Sequence, residues 1–181
     1  MIGLLRRRIG DLKTQRLRLV AITPAMLDAD QKADGSLGKI LGAEVTPEWP
    51  PEHWEPHVYQ FIAKQYEEEP RTRGWNRYVL LLNWAGGATR YTLVGAVGGF
   101  PKLEGDVEIG YSTVPSYQRK GYATEAARAL VDWLLTQRDV KSVSAQTYPR
   151  LPESIKVMER CGMTYVGPGE DEGTVRYQRR R

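Results

Sequence analysis

The stretch VEIGYSTVPSYQRKGYATEAARALVDWLL (residues 107–135) leads a predicted strand into a predicted helix through a short basic loop. Its first part alternates in polarity, so Glu108, Gly110 and Ser112 are expected to share one face of the strand. From Tyr122 to about Arg138 apolar residues recur at helical spacing. This pattern predicts an amphipathic helix that packs against a sheet.

The start of this helix lacks a side chain that would cap it. Ser, Thr, Asp or Asn usually accepts a hydrogen bond there, but Gly121 and Tyr122 offer no such acceptor. The first amides of a helix have no internal partner, and the helix dipole adds about half a positive charge at this end. Arg119 and Lys120 add further positive charge, and glycine lets the backbone approach a bulky group. The loop therefore predicts an anion site suited to a pyrophosphate, although a basic loop is by itself more often a solvated surface.

The remaining patterns predict strands and helices in alternation. Antiparallel pairing is expected where two apolar runs flank the turn residues Gly86 and Gly87. The element order predicts a mixed α/β sheet rather than a doubly wound parallel one. In chain order the predicted elements outside residues 107–135 are a strand in TQRLRLVAIT, a helix over Pro24 to Lys32, a helix in EHWEPHVYQFIAKQYEEE that ends before Pro70, strands in NRYVLLLNW, YTLVGAVGGF and KSVSAQTY, a helix from Pro152 through ESIKVMER, and closing strands in MTYVG and GTVRYQ.

Length and composition favour one globular domain. Of the 181 residues, 41% are hydrophobic and 27% are charged, a balance typical of a folded domain. Cys161 is the only cysteine, so no intrachain disulfide can form and a cytoplasmic location is expected. No apolar run reaches membrane-spanning length, and the first residues do not have the order of a secretory signal. The net charge of +4 suits an anionic ligand without requiring nucleic acid.

The hexapeptide QRKGYA, residues 118–123, resembles the Gln/Arg-x-x-Gly-x-Gly/Ala motif of the GNAT superfamily of N-acetyltransferases. Together with TQRLRLV and SVSAQTYPRLPESIKVMERCGMTYVG, residues 107–135 occur in the order typical of the branch that resembles ribosomal-protein N-acetyltransferases. The resemblance spans about Thr14 to Tyr177. It implies one GNAT domain over residues 1–181, with a mostly antiparallel central sheet whose central strands splay apart between flanking helices.

The resemblance also implies acetyl-coenzyme A (acetyl-CoA) as the cosubstrate. It would lie in a V between the strands at 106–114 and 141–148, with its thioester near Ser154. Its pantetheine would pair with strand backbone. The cofactor-binding residues implied in this way are Ser112, Thr113 and Val114 for pantetheine, Arg119, Lys120, Gly121, Tyr122, Ala123 and Thr124 for the pyrophosphate, and Ser154.

Acetyl transfer to an amine needs a base and an acid. Glu108 is the candidate base, acting through water with a pKa raised by partial burial, although a strand carboxylate of this kind is often only an ion-pair partner. An amide near Val114 is expected to stabilise the developing oxyanion. Ser154 is the second candidate catalytic residue, because its hydroxyl would orient the sulfur or relay a proton. An early helical serine can also bond only to backbone.

The acid is the point at which the chain departs from the pattern of the family it resembles. Many relatives have asparagine where this chain has Leu151, and many GNAT enzymes have tyrosine where it has Met158. Tyr148 and Tyr177 are reserve candidates for the acid. Cys161 precedes Gly162 at a helix end, where the dipole disfavours a thiolate, so a structural role is expected for it rather than a ping-pong reaction.

Three other features have ordinary explanations. Glu125 lies in the first turn of the predicted helix and is interpreted as a structural carboxylate. His53 and His57 are spaced like metal ligands but lack a third partner, so no metal is predicted. The glycine-rich GAVGGF is not followed directly by a helix pattern, which favours a strand with a bulge over a dinucleotide fingerprint.

The predicted function is transfer of an acetyl group to a primary amine by direct attack in a ternary complex. The acceptor is a small molecule or a protein N-terminus, and the region from Trp49 to Tyr59 is expected to determine which. A non-catalytic acyl-CoA sensor is the alternative. A third possibility is RNA binding by the arginine-rich ends, Arg6 to Arg8 and Arg179 to Arg181, although charged ends usually only contact solvent. The resembling family often forms homodimers.

Overall fold

The computed structural model describes residues 9–52 and 54–181. Arg6 to Arg8 and His53 lie outside these residues. Within the described part of the chain, nine strands form one sheet in the order β1-β2-β4-β5-β6-β7-β9-β8, and β3 pairs with β5. The strands are β1 (Leu12–Lys13), β2 (Leu17–Ala21), β3 (Glu44–Val45), β4 (Arg77–Ala85), β5 (Ala88–Pro101), β6 (Asp106–Thr113), β7 (Ser142–Thr147), β8 (Thr164–Pro168) and β9 (Val175–Arg180).

Most neighbouring strands are antiparallel, and only the β3–β5 and β6–β7 pairs in the described ranges are parallel. Five α-helices accompany the sheet in the same part of the chain, and three of them begin with proline, whose fixed φ suits the first helical position. The mixed, mostly antiparallel architecture confirms the predicted fold class. The helices are α1 (Pro24–Lys32), α2 (Ser36–Leu41), α3 (Pro56–Glu68), α4 (Tyr122–Leu134) and α5 (Pro152–Arg160).

The sheet separates two hydrophobic cores, as alternate residues of β4 demonstrate. Val79 and Leu81 are buried on the face that α4 covers, whereas Tyr78 and Leu80 are buried on the opposite face with residues of α1 to α3. The period of two in the strand places successive side chains on opposite faces. Full burial of one leucine contributes roughly 2 kcal/mol, so both cores stabilise the sheet substantially.

The two central strands splay apart, as predicted. β6 pairs with β7 only from Asp106 to Glu108, whereas its pairing with β5 continues to Thr113. Beyond Glu108 the edge of β6 that faces β7 therefore has no strand partner among the described residues. This gap opens toward the start of α4.

GAVGGF (residues 95–100) is part of β5, as expected of a strand, and the bulge in β5 lies just before it rather than within it. Val79 and Leu80 face Gly95 and Leu93, so Val94 is the extra residue in the ladder. A Cβ atom at Gly95 would collide with the carbonyl oxygen of Ser112 on the next strand. Glycine is therefore required where β5 and β6 approach most closely.

One predicted boundary needs correction, and three short elements were missed. α4 ends at Leu134 rather than near Arg138, because the side chains of Thr136 and Gln137 both donate to the carbonyl oxygen of Trp133 and close the last turn. The stretch from 35 to 51, to which the sequence pattern assigned no element, contains α2 and β3. The short strand β1 was also missed.

No helix in the described ranges combines the length and the apolar character needed to cross a bilayer.

Candidate active site

The loop before α4 leaves a row of main-chain amides open. Gly121 is the N-cap of α4 with φ 82°, and no side chain caps the helix. Arg119 also has a positive φ, 59°, so the chain turns sharply before the helix begins. No hydrogen bond from the amides of residues 119–124 to another described residue is found. These donors are the geometry expected of an anion site.

Arg16 supplies a cation at this loop that the sequence analysis missed. Its Nη1 donates to the carbonyl oxygen of Lys120 at 3.0 Å, and its guanidinium lies 4.6 Å from the centre of the Tyr122 ring. A Cβ atom at Gly121 would lie 3.3 Å from Arg16 Nη2. Arg16 and Gly121 are far apart in sequence, so no local pattern connects them.

Glu125 holds this arrangement together from inside the first turn of α4. Its Oε1 accepts hydrogen bonds from Thr14 Oγ1 at 2.6 Å and from the Arg16 amide at 2.9 Å, and its Oε2 accepts one from Arg16 Nε at 2.7 Å. Burial opposes ionisation of this carboxyl, but the bonds from Thr14 and Arg16 outweigh it and lower the pKa of Glu125. These contacts agree with the structural role expected for it.

Only some of the backbone N–H and C=O groups of β6 point into the gap between β6 and β7. The Val114 amide donates to the Val94 carbonyl oxygen at 3.0 Å. It is therefore not free to stabilise an oxyanion, contrary to the expectation. In an antiparallel ladder the backbone groups alternate in direction, so those of Thr113 and Tyr111 point away from β5 into the gap. Of the three residues expected to pair with pantetheine, Thr113 is the one whose backbone faces the right way.

Glu108 lies on the face of β6 opposite α4, with 17% of its side chain exposed. Its Oε1 accepts a hydrogen bond from Gln146 Nε2 at 3.3 Å, and its Oε2 lies 3.6 Å from Lys102 Nζ. Burial is the main reason that the pKa of Glu108 is raised, while Lys102 and Gln146 act in the opposite direction. A carboxylate with a raised pKa in a partly enclosed site has the properties of a general base.

Ser154 lies on the other face of β6, beside Tyr111. The Tyr111 hydroxyl donates to the Ser154 carbonyl oxygen at 3.0 Å and is 2.9 Å from Ser154 Oγ. Burial raises the pKa of Tyr111 to about 12, so the phenol remains protonated at neutral pH. The structure thus pairs Ser154 with a tyrosine that the sequence analysis did not assign, and it separates Ser154 from Glu108 by the strand itself.

The other candidates for an acid have different surroundings. Tyr177 packs at the edge of the core beneath α4, with its ring 5.8 Å from that of Tyr165. Tyr148 is stacked by the guanidinium of Arg150, 4.4 Å from its ring centre. Cys161 is 1% exposed, and burial raises the pKa of its thiol to about 11. A buried thiol of this kind is a poor nucleophile at neutral pH.

A charged cavity of about 1050 Å³ opens on the same face of the sheet as Glu108. Ion pairs neutralise much of its lining, with Arg176 Nη2 at 2.8 Å from Asp106 Oδ2 and Lys102 Nζ at 2.6 Å from Glu170 Oε2. Glu108 itself does not line the cavity, although its ion-pair partner Lys102 does.

The segment from Trp49 to Tyr59, predicted to shape the acceptor pocket, lies against α1 and β6. The indole groups of Trp49 and Trp54 donate to the buried carboxylate of Asp30 at 2.7 and 3.3 Å. Between these two tryptophans, the Glu52 carbonyl oxygen accepts a hydrogen bond from Ser112 Oγ of β6 at 3.1 Å. The segment is thus fixed to α1 at one side and reaches the end of β6 at the other.

No metal site accompanies these groups in the part of the chain that the structure describes. There, His, Cys, Asp and Glu side chains form no cluster of three or more suited to a metal ion. His57 has its Nδ1 3.3 Å from Glu55 Oε2, and its predicted companion His53 lies outside the described ranges.

Solved structures of other proteins share this architecture. A ribosomal L7/L12 alpha-N-protein acetyltransferase, RimL, in complex with coenzyme A has a TM-score of 0.60 and 16% identity, covering 94% of this chain and 98% of that one. A spermidine N-acetyltransferase from Vibrio cholerae, in complex with coenzyme A and spermine, has a TM-score of 0.58 and 16% identity, covering 92% and 96%. At these identities the likeness establishes the fold alone.

Sequence comparison identifies the family. The model for the acetyltransferase (GNAT) domain matches residues 16–164. The uncharacterized N-acetyltransferase YjdG of Bacillus subtilis (strain 168) is 33% identical over 156 residues, which cover 83% of this chain and 88% of that protein. The chain therefore belongs to the GNAT family and is an acetyltransferase that uses acetyl-CoA.

Proposed function

We propose that this protein transfers the acetyl group of acetyl-CoA to a primary amine by direct attack within a ternary complex. The observation that carries the proposal is the row of open amides from 119 to 124, beside two cations and at the mouth of the gap between β6 and β7. A pyrophosphate would accept hydrogen bonds from these amides and interact favourably with the dipole of α4.

The residues around the gap fit the cosubstrate. Arg119, Lys120 and Arg16 would surround the pyrophosphate with positive charge. The outward-facing backbone of Thr113 would hydrogen-bond the pantetheine in the manner of an added strand. Acetyl-CoA supplies the activated thioester, which this placement would bring between Glu108 on one face and Ser154 on the other.

Proton movements follow from the two side chains. Glu108, with its raised pKa, would accept a proton from the acceptor ammonium through a water molecule, and the free amine would then attack the thioester carbon. As the carbon–sulfur bond breaks, the Ser154 hydroxyl would pass a proton to the leaving sulfur and take one from the former amine nitrogen, which becomes the neutral amide. Tyr111 would hold Ser154 in place. The buried, protonated thiol of Cys161 argues against an acetyl-cysteine step.

The acceptor remains one of two chemical classes. RimL acts on a protein N-terminus and the Vibrio cholerae protein on spermidine, so relatives of the same fold serve both. We propose that the segment from Trp49 to Tyr59 selects between them, because it is fixed to α1 and contacts β6 through Glu52. A single domain, a cytoplasmic location and a homodimer remain part of the proposal.

The test is release of free coenzyme A from acetyl-CoA with a panel of small amines and N-terminal peptides. Turnover with at least one amine, together with calorimetric binding of acetyl-CoA, supports the proposal. Tight binding without release for any amine would favour the acyl-CoA sensor instead. Absence of binding would contradict both.

A further inference from the structure

The side chain of Gln146 on β7 lies between Glu108 and the turn that connects β8 to β9. Its Nε2 donates to Glu108 Oε1 at 3.3 Å and to Asp171 Oδ2 at 3.1 Å. Its Oε1 accepts from the amides of Glu170 and Asp171 at 2.8 and 3.2 Å and from Thr174 Oγ1 at 3.0 Å. Three donors on one side and two carboxylates on the other fix the orientation of the amide.

The turn packs directly on this amide. A Cβ atom at Gly169 would collide with Gln146 Oε1 and Thr174 Oγ1. The turn also reaches Glu108 by a second route, because the Glu170 carboxylate pairs with Lys102, whose Nζ lies 3.6 Å from Glu108 Oε2. Glu108 is therefore linked to the β8–β9 turn from both of its oxygens.

Gln146 provides the one hydrogen bond to the Glu108 carboxylate among the described residues. Oε2 of Glu108 is buried without a hydrogen-bond partner there, and its contact with Lys102 is an ion pair at longer range. A donor on Oε1 favours the ionised carboxylate and fixes the orientation of its plane.

The charged groups around Glu108 come from each neighbouring element. Cations are Lys102 at the end of β5 and, farther away, Arg176 on β9, which is paired with Asp106 of β6. The anions of the β8–β9 turn are Glu170, Asp171 and Glu172. β7 contributes the neutral Gln146, so removal of its donor leaves only Lys102, among the described contacts of this carboxylate, to oppose the effect of burial.

We propose that Gln146 is a positioning residue that orients Glu108 and couples it to the β8–β9 turn. This inference rests on the proposed role of Glu108 as the base. Loss of the donor should let the carboxylate rotate away from the reacting amine and make its protonated form more favourable. Activity would then fall most at low pH, where the carboxylate is already close to protonation.

The experiment compares pH profiles of kcat/KM for the acceptor amine in Gln146→Ala, Gln146→Glu and Gln178→Ala. The Gln146→Glu variant keeps an acceptor for the turn amides but loses the donor and adds a like charge beside Glu108. Gln178 is the matched control, because it is a glutamine on the adjacent strand whose amide bonds Asp106 and Ser142 rather than Glu108.

The acid limb of the profile should move to higher pH by about half to one unit in Gln146→Ala and farther in Gln146→Glu. Gln178→Ala should leave it in place. Acetyl-CoA affinity measured by calorimetry should be unchanged in all three. An acid limb at the wild-type position in the folded Gln146→Glu variant would overturn the inference, even if Gln146→Ala fails to fold.

Glu108→Gln separates this inference from the proposed function. If Glu108→Gln removes the acid limb and Gln146→Glu leaves it unmoved, only the positioning role is lost. If Glu108→Gln retains the wild-type profile, the proposed base is wrong and the positioning role falls with it. A Gln146 substitution should also leave the pH profile of Glu108→Gln unchanged.

Discussion

At the scale of single residues, the surroundings of two glutamates near the candidate site shift their pKa values in opposite directions. Glu108 is mostly buried with one hydrogen-bond donor among the described residues, and its pKa is raised above the ordinary value. Glu125 accepts three hydrogen bonds at 2.9 Å or less, and its pKa is lowered. The first arrangement suits a group that gains and loses a proton, and the second suits a group that stays ionised.

Glu108→Gln should reduce kcat on the order of 100-fold, because it removes the group that accepts the proton while keeping the size of the side chain. In the wild type kcat/KM should fall as pH decreases through the Glu108 pKa, above the ordinary value of 4.5. Steady-state rates over a pH series test this expectation. Glu104→Gln, at an exposed position on the preceding turn, is the control, and equal rates in the two variants would remove Glu108 from the mechanism.

Glu125→Ala should destabilise the fold by about 1–2 kcal/mol, because it leaves Thr14 and the Arg16 amide without their acceptor. The folded pKa is lowered, so the stabilisation is present above 4.5 and is lost as pH falls through the folded pKa. Urea unfolding at neutral and acidic pH measures both effects. Glu153→Ala on the exposed side of α5 should change little, and a neutral result at Glu125 would contradict the bracing role.

At the scale of elements, the two ends of α4 differ in whether their terminal backbone groups have hydrogen-bond partners. Its C-terminal carbonyls are closed by side chains: Thr136 and Gln137 bond to Trp133, and Arg181 Nε donates to the Leu135 carbonyl oxygen at 2.8 Å. Its N-terminal amides have no such partners in the described residues. Open amides at the start of a helix, beside the cations Arg119 and Lys120, are suited to an anionic ligand.

Gly121→Asp should weaken acetyl-CoA binding by about tenfold or more, because a carboxylate at the N-cap would compete for the open amides and repel the pyrophosphate. Gly87→Asp is the matched control, since Gly87 also has a positive φ, 77°, but lies in the β4–β5 turn with open space around it. Titration calorimetry compares the two. Equal affinities would show that the N-terminus of α4 does not hold the anion.

Local patterns predicted most elements because each carries its own signal in sequence. α1 spans Pro24–Lys32, the predicted range, since Thr23 accepts a hydrogen bond from Met26 and Pro24 begins the helix. α2 is only six residues long. Its N-cap, Gly35, has a left-handed backbone conformation, and no side chain caps the helix. A helix this short has too few residues for a periodic pattern to emerge.

At the scale of the whole molecule, the candidate site depends on contacts between distant parts of the chain. Arg16 reaches Gly121 only because β2 lies beside α4, and Gln146 reaches Glu108 only because β7 pairs with the start of β6. The motif at 118–123 predicted where an anion would bind. The third cation and the support of the base follow from strand order, which no local pattern contains.

Two of the arginines at 179–181 contact α4 or the residues at its C-terminal end. Arg179 Nη1 lies 2.7 Å from Asp132 Oδ1 on α4, and Arg181 donates to carbonyl oxygens at the end of that helix. Two of the three guanidinium groups thus stabilise the packing of β9 and α4. RNA binding by this end of the chain stays a prediction, with Arg180 as the remaining guanidinium.

Amide hydrogen–deuterium exchange, measured with and without coenzyme A, tests the diphosphate site most directly. The amides of 119–124 lack partners in the described residues, so they should exchange rapidly in the free protein and become protected on binding. Peptides from the β4–β5 turn should exchange equally in both states. Unchanged exchange at 119–124, under conditions in which calorimetry shows coenzyme A bound, would contradict an anion site at the start of α4.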